Sequence, residues 1–173
     1  MVIHARAFTR IAFDPFITRG EDLDYLFNLR LFGLDVWFDN ELVVRHLPPE
    51  FEDRTPRFIQ DVYRWYYERA KLAYASGQKD LNAVTPASLM PYPGPWISSD
   101  LDDRVKKTAI VRTFCTHEHA SYLKIWKSGI AEAKRYAAEN CRNYLRFQSF
   151  WPTIMDEIWR DAELARTLEE VDG

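Results

Sequence analysis

The chain has 173 residues, 47% hydrophobic and 28% charged, a composition typical of one folded domain rather than of a disordered segment. Its net charge of −3 argues against a general nucleic-acid partner, which needs a basic surface. Cys115 and Cys141 are too few for a disulfide framework, no apolar run approaches the roughly 20 residues of a membrane span, and no signal peptide is apparent, so we expect reduced thiols and a cytoplasmic location.

The first third of the chain predicts extended segments around one helix. Residues 4–8 and 11–13 are short apolar stretches, for which we expect strands or irregular extended chain. Thr18 or Gly20 can cap a helix that runs to about Phe32 and ends at Gly33, with a buried face formed by Leu23, Phe27, Leu31 and Leu34. Residues 36–38 and 42–44 are rich in β-forming side chains and predict a short hairpin or two edge strands.

The remainder predicts helices. One runs from Pro56 to Gly77, and a proline-rich loop follows over residues 81–99. Further helices are expected over about 101–114 and 118–146, and a last helix begins near Pro152 and ends near 169. Trp126 and Trp159 lie on repeating apolar faces, so we expect both to be buried. The predicted fold is therefore mainly α with a small β element.

Two acidic side chains, Glu21 and Asp22, are the first candidates for chemistry. They follow Arg19-Gly20 at the predicted start of a helix, together with Asp24. A carboxylate fixed there can act as a general base, but an acidic first turn is also common because the helix dipole favours it. Two other polar strings are better explained structurally. The histidines of 115–119 are two residues apart and point to different sides of a helix, and Asp100 to Asp103 caps a helix start.

The stretch from Arg19-Gly20-Glu21-Asp22 to His46-Leu47-Pro48-Pro49 resembles the acceptor-side half of family-2-like glycosyltransferases of the GT-A fold, over roughly residues 4–50. The resemblance implies a C-terminal fragment of an α/β GT-A enzyme over residues 1–53, followed by a helical extension over 54–173. It implies Asp22 as catalytic base, Glu21 as an orienting carboxylate, and His46 as a ligand of Mn²⁺ or Mg²⁺. Arg19, Gly20 and Asp24 would bind substrate, and we add Tyr92 and Trp96 from the proline-rich loop.

In that family a donor-binding half with an Asp-x-Asp motif precedes this segment, and only 20 residues precede Glu21 here. We therefore expect the chain alone to bind no metal or nucleotide-sugar well, to be inactive, and to self-associate through an exposed apolar face. The alternative is a non-catalytic helical interaction module or gene remnant, in which the Gly-Glu-Asp stretch is merely a capped helix. Donor sugar, acceptor, stereochemistry and oligomeric state stay open.

Overall fold

The computed structural model describes residues 3–17, 19–37, 41, 43, 57–76, 98–115, 117 and 119–171. Within these ranges the chain forms helices α1 (Ala5–Phe8), α2 (Glu21–Leu31), α3 (Arg57–Ser76), α4 (Leu101–Cys115), α5 (His119–Lys124) and α6 (Ile130–Val171), with a π-helical turn at Ile125–Gly129 between the last two. The predicted bounds of α2, α3 and α4 agree with these to within a few residues.

The predicted β element, and with it the α/β GT-A fold class, is wrong for the described residues, which contain no strand. Trp37 and Val43, from the two expected strands, are 89% and 87% exposed, so no described part of the chain forms a layer that covers them. Paired strands without such a layer are marginal in water. Residues 38–40, 42 and 44 lie outside the described ranges.

Residues 5–8 differ from the predicted strand or irregular extended segment, whereas residues 11–13 are irregular. Residues 5–8 form a single helical turn, capped by the His4 Nδ1 atom, which accepts the Arg6 N–H at 3.1 Å. The next residues are irregular, and side chains of α6 take the place of a strand partner. Gln148 accepts the Ala12 N–H at 2.8 Å and donates to the Arg10 carbonyl at 2.7 Å, which satisfies buried backbone groups that no sheet supplies.

The main core lies where α3 packs along α6, with α4 and α5 closing one end. Its fully buried members are largely small or aromatic: Val62, Tyr67, Leu101, Val105, Ala109, Ile125, Ala133, Ala137 and Tyr144. Residues from the first third of the chain also contribute, because Phe16, Ile17 and Phe32 pack against this cluster. A smaller cluster of Ile11, Tyr25 and Leu29 fixes α2.

The predicted helix break before Pro152 is wrong, because Pro152 lies inside helix α6. A proline there removes one helical hydrogen bond and costs about 3 kcal/mol. Side-chain anchors on the preceding turns offset that cost: Gln148 binds the 10–12 segment, and Trp151 donates from Nε1 to the Phe8 carbonyl at 2.8 Å. The helix is therefore continuous from Ile130 to Val171.

Three predicted core positions are exposed instead. Trp126 is 46% exposed, whereas its neighbour Ile125 is only 1% exposed and faces the core. Trp159, on the distal part of α6, is 56% exposed. Leu23 is 44% exposed, whereas Phe27 on the same predicted face is fully buried.

Candidate functional site

The start of α2 is held in place by a close contact with α3. Gly20 precedes the helix with φ of 72°, a left-handed conformation that favours glycine, and no side chain caps the helix there. A β-carbon on Gly20 would lie 2.9 Å from Nε of Arg64. Position 20 is therefore glycine for two reasons, its backbone conformation and the closeness of Arg64.

The three acidic residues of the first turn have different surroundings. Glu21 and Asp22 are exposed, and Asp22 Oδ1 accepts the N–H of Leu23 at 2.8 Å. Asp24 is only 1% exposed and points into the protein. The first two carboxylates can thus meet a bound molecule, whereas the third is part of the interior.

Asp24 belongs to a buried cluster around the ammonium of Lys71. Lys71 Nζ lies 2.9 and 3.0 Å from the two oxygens of Asp24, 2.8 Å from Oδ2 of Asp14 and 2.9 Å from Oδ1 of Asn28. The ammonium also sits 4.3 Å from the ring centroid of Tyr144, a cation–π contact. One cation therefore ties α3 to α2 and to the segment before it. Burial raises the pKa of Asp14, although Lys71 opposes this.

A second, looser charge chain runs beside the first along α3. Arg64 reaches Glu68 Oε1 and Asp61 Oδ1, each at 3.4 Å, and Nε of Arg19 lies 3.7 Å from Asp61 Oδ1. Glu68 is 2% exposed, and its burial raises its pKa to about 8, with Arg64 opposing the shift. The Nε atoms of Arg19 and Arg64 are buried without a hydrogen-bond partner among the described residues.

These arginines border a cavity of about 220 Å³ between α3, α6 and the segment that leads to α2. Its lining is aromatic and aliphatic apart from the guanidinium groups and one amide: Phe16, Ile17, Arg19, Ile59, Gln60, Tyr63, Arg64, Tyr67 and Tyr136. The contact between Gly20 and Arg64 places the start of α2 beside this cavity.

Of the residues predicted as a site, Arg19 lines the cavity and Gly20 packs against Arg64, which also lines it. Glu21 and Asp22 follow in the exposed first turn of α2, and Asp24 is directed to Lys71. His46, Tyr92 and Trp96 lie outside the described residues. Within the described part of the chain, no three His, Cys, Asp or Glu side chains are grouped so that they could hold a metal ion. The expected Mn²⁺ or Mg²⁺ site at His46 stays a prediction.

Sequence reasoning missed Lys71, Arg64 and Glu68 because charged residues on a helix usually face solvent. A signal was present. Arg64, Tyr67, Glu68 and Lys71 recur at intervals of three and four residues, so they share one face of α3. A charged stripe with a large aromatic residue at its centre can indicate a buried polar face.

Comparison with family models, with curated proteins and with solved structures found no match. Among the described helices, none combines the length and the apolar character needed to cross a membrane.

Proposed function

We propose that this chain supplies the acceptor-binding, base-bearing part of an enzyme that transfers a sugar from a nucleotide-sugar donor. One observation carries the proposal: Glu21 and Asp22 are exposed at a helix start beside a cavity of tyrosines and arginines. Asp24, in the same turn, is turned inward to Lys71.

The chemistry requires a base that removes the proton from the attacking hydroxyl of the acceptor. Asp22 is our candidate for that base, following the pattern of the family that the sequence resembles, and Glu21 is the candidate for orienting the acceptor. Holding the acceptor rigidly contributes much of the rate in such a reaction. The anchoring of α2 through Lys71 and Arg64 supports this role, because it fixes where both carboxylates stand.

The test is turnover of UDP- and GDP-sugars with Mn²⁺, measured on the polypeptide as its gene encodes it. Asp22→Asn is compared with Asp103→Asn, since Asp103 is an exposed carboxylate in the first turn of α4 and makes a matched control. Loss of turnover in the first variant alone supports the proposal. Equal turnover in the two variants contradicts it.

A second function, a helical interaction module that self-associates, is favoured by a different observation. Val111 and Phe114 of α4 are 59% and 81% exposed, and Ile158 and Trp159 of α6 are also largely uncovered. Val111 and Phe114 are three positions apart on α4 and share one face, and contiguous exposed apolar side chains mark interaction surfaces. Sedimentation of the purified chain, with Phe114→Glu as the disrupting variant, tests this candidate. A monomer at high concentration speaks against it.

A further inference from the structure

The cavity has a preformed aromatic wall. Tyr136 donates its hydroxyl to the Phe16 carbonyl at 2.7 Å, and Tyr63 donates to Glu132 Oε2 at 3.2 Å. Tyr67 is within 3.3 Å of both Asp14 Oδ1 and the Asn140 carbonyl. The hydroxyls are thus engaged by the protein and the ring orientations are fixed. A ligand meets the rings, which suits a flat or cyclic molecule of limited polarity on that side.

The opposite side carries more hydrogen-bond donors than acceptors. Two guanidinium groups, those of Arg19 and Arg64, share Asp61, and every contact that they make with it or with Glu68 is 3.4 Å or longer. Neither Nε has a hydrogen-bond partner among the described residues, but both atoms are buried, so a ligand would meet the rest of the guanidinium group, chiefly that of the more exposed Arg19. Burial raises the pKa of Glu68, which favours its neutral form and weakens the negative charge opposite the guanidinium groups. Arginine groups that are held but incompletely paired are typical of sites for carboxylates or phosphates.

The positive charge is not uniform around the cavity. Arg19 is the more accessible of the two arginines, with a side chain 38% exposed, against 12% for Arg64. The exposed carboxylates of Glu21 and Asp22 stand at the adjacent helix start and would repel an anion there. Of the two guanidinium groups at the cavity, that of Arg19 is therefore the one that an anionic group of a ligand can reach.

The size of the cavity limits the ligand. A volume of about 220 Å³ equals roughly seven water molecules at about 30 Å³ each, below the usual 300–1,000 Å³ of drug-sized sites. A space of this size can take one six-membered ring with its substituents.

We propose that this cavity binds a single sugar ring that carries one carboxylate or phosphate group, with the ring against the tyrosines and the anion at Arg19. The proposal deepens the proposed function, on which it rests, by making the acceptor an acidic sugar. Carboxylate and phosphate groups both present negatively charged oxygen atoms to a guanidinium group. The structure therefore indicates only this shared chemistry, and the experiment distinguishes the two groups.

The experiment is titration calorimetry of the purified chain with four probes: glucuronate, glucose 6-phosphate, methyl glucoside and inorganic phosphate. We expect one or both of the charged sugars to bind with affinity roughly tenfold or more above that of methyl glucoside, the effect of one charge-assisted hydrogen bond. Phosphate alone should bind more weakly than glucose 6-phosphate, because it lacks the ring. The stronger of the two charged sugars identifies the anionic group.

Variants locate the binding. Arg19→Gln should remove the preference for charged sugars and leave methyl glucoside unaffected, whereas Arg160→Gln, an exposed arginine on the distal part of α6, should change nothing. Ile59→Trp fills the cavity and should abolish binding of every sugar. Thermal melts confirm that each variant is folded.

Equal affinity for neutral and charged sugars, no binding of any probe, or binding that survives Ile59→Trp would overturn the inference. None of these outcomes decides the proposed function, which depends on the effect of Asp22→Asn on nucleotide-sugar turnover. The two failures can therefore be told apart.

Discussion

Nζ of Lys71 lies 2.9 and 3.0 Å from the two carboxylate oxygens of Asp24, and both side chains are essentially inaccessible to solvent. The pair joins the middle of α3 to the first turn of α2, the turn that also carries Glu21 and Asp22. Its geometry therefore decides where the exposed carboxylates stand. The first turn of α2 therefore contributes to stability through Asp24 and carries the candidate chemistry on Glu21 and Asp22.

Removing the cation alone should be severe. Lys71→Met leaves Asp14 and Asp24 buried without their partner, and loss of one partner of a buried ion pair costs about 3–5 kcal/mol. Urea denaturation measures the loss. Adding Asp14→Asn and Asp24→Asn to Lys71→Met should recover part of it, since no buried charge then stays unpaired. A triple variant less stable than Lys71→Met would mean that the carboxylates are stabilised by other groups.

Asp22 and Asp24 should separate activity from stability. Asp24→Asn weakens charge-assisted hydrogen bonds with Lys71 and should lower the free energy of unfolding by about 1.5–3 kcal/mol. Asp22→Asn should leave unfolding nearly unchanged, because that side chain is exposed, and in the intact enzyme it should reduce turnover by roughly 10²–10⁴. Denaturation and turnover are measured on both variants. A large loss of stability in Asp22→Asn would show that its carboxylate also supports the fold.

The helices that could be predicted from the sequence are those with strong end signals. Pro56 and Gly77 bracket α3, and Gly33 closes α2 at φ of 80°. Residues 36–37 could not be judged from β propensity, because a strand exists only if a neighbour pairs with it. The helix start predicted at Pro152 was wrong for a similar reason. Proline is common at the first position of a helix, but here hydrogen bonds from Gln148 and Trp151 to the first residues of the chain stabilise a continuous helix.

The candidate site was predictable in part. Glu21, Asp22 and Arg19 could be found because their spacing after a glycine forms a local motif. The cavity could not, because Tyr63 and Tyr67 come together with Tyr136 only after α3 packs on α6. A pairing across some seventy positions leaves no periodic trace in a single sequence.

The exposed tryptophans give a direct test of the helix faces. Trp126→Ala and Trp159→Ala should each lower the free energy of unfolding by about 1 kcal/mol or less, as expected for surface positions. Tyr144→Ala should cost about 3 kcal/mol or more, because that ring is fully buried beneath the Lys71 ammonium. Urea denaturation of the three variants gives the comparison. Similar losses for Trp126→Ala and Tyr144→Ala would place Trp126 in an interface.

Alanine substitutions at Gly20 and Gly33 distinguish the cost of backbone strain from the cost of a steric contact. Gly20 and Gly33 both have positive φ, of 72° and 80°, so alanine at either position pays the left-handed penalty of about 1–2 kcal/mol. A β-carbon at Gly33 meets nothing within 4 Å, whereas at Gly20 it lies 2.9 Å from Arg64 Nε. Gly20→Ala should therefore cost about 1 kcal/mol more than Gly33→Ala. If thermal denaturation shows equal losses, Arg64 moves aside easily and does not fix the start of α2.

The buried Glu68 should make stability depend on pH. Burial raises its pKa in the folded protein to about 8 from an ordinary value of 4.5, so between these values the folded state holds a proton that the unfolded state has released. The contribution of Glu68 is then fully present below pH 4.5 and is lost as the pH rises through 8. The free energy of unfolding should fall across this window by up to about 1.4 kcal/mol per pH unit, the limit for one proton. Asp14, whose pKa burial also raises, adds to the loss in the same direction at the lower end of the window. Urea denaturation from pH 5 to pH 8.5 measures the slope, and Glu68→Gln, which cannot titrate, should flatten it.

Glu157→Gln, on an exposed part of α6, should leave the slope unchanged. An identical slope in Glu68→Gln and the unmodified chain would mean that Arg64 keeps Glu68 ionised, and the charge balance at the cavity would then be less positive than inferred.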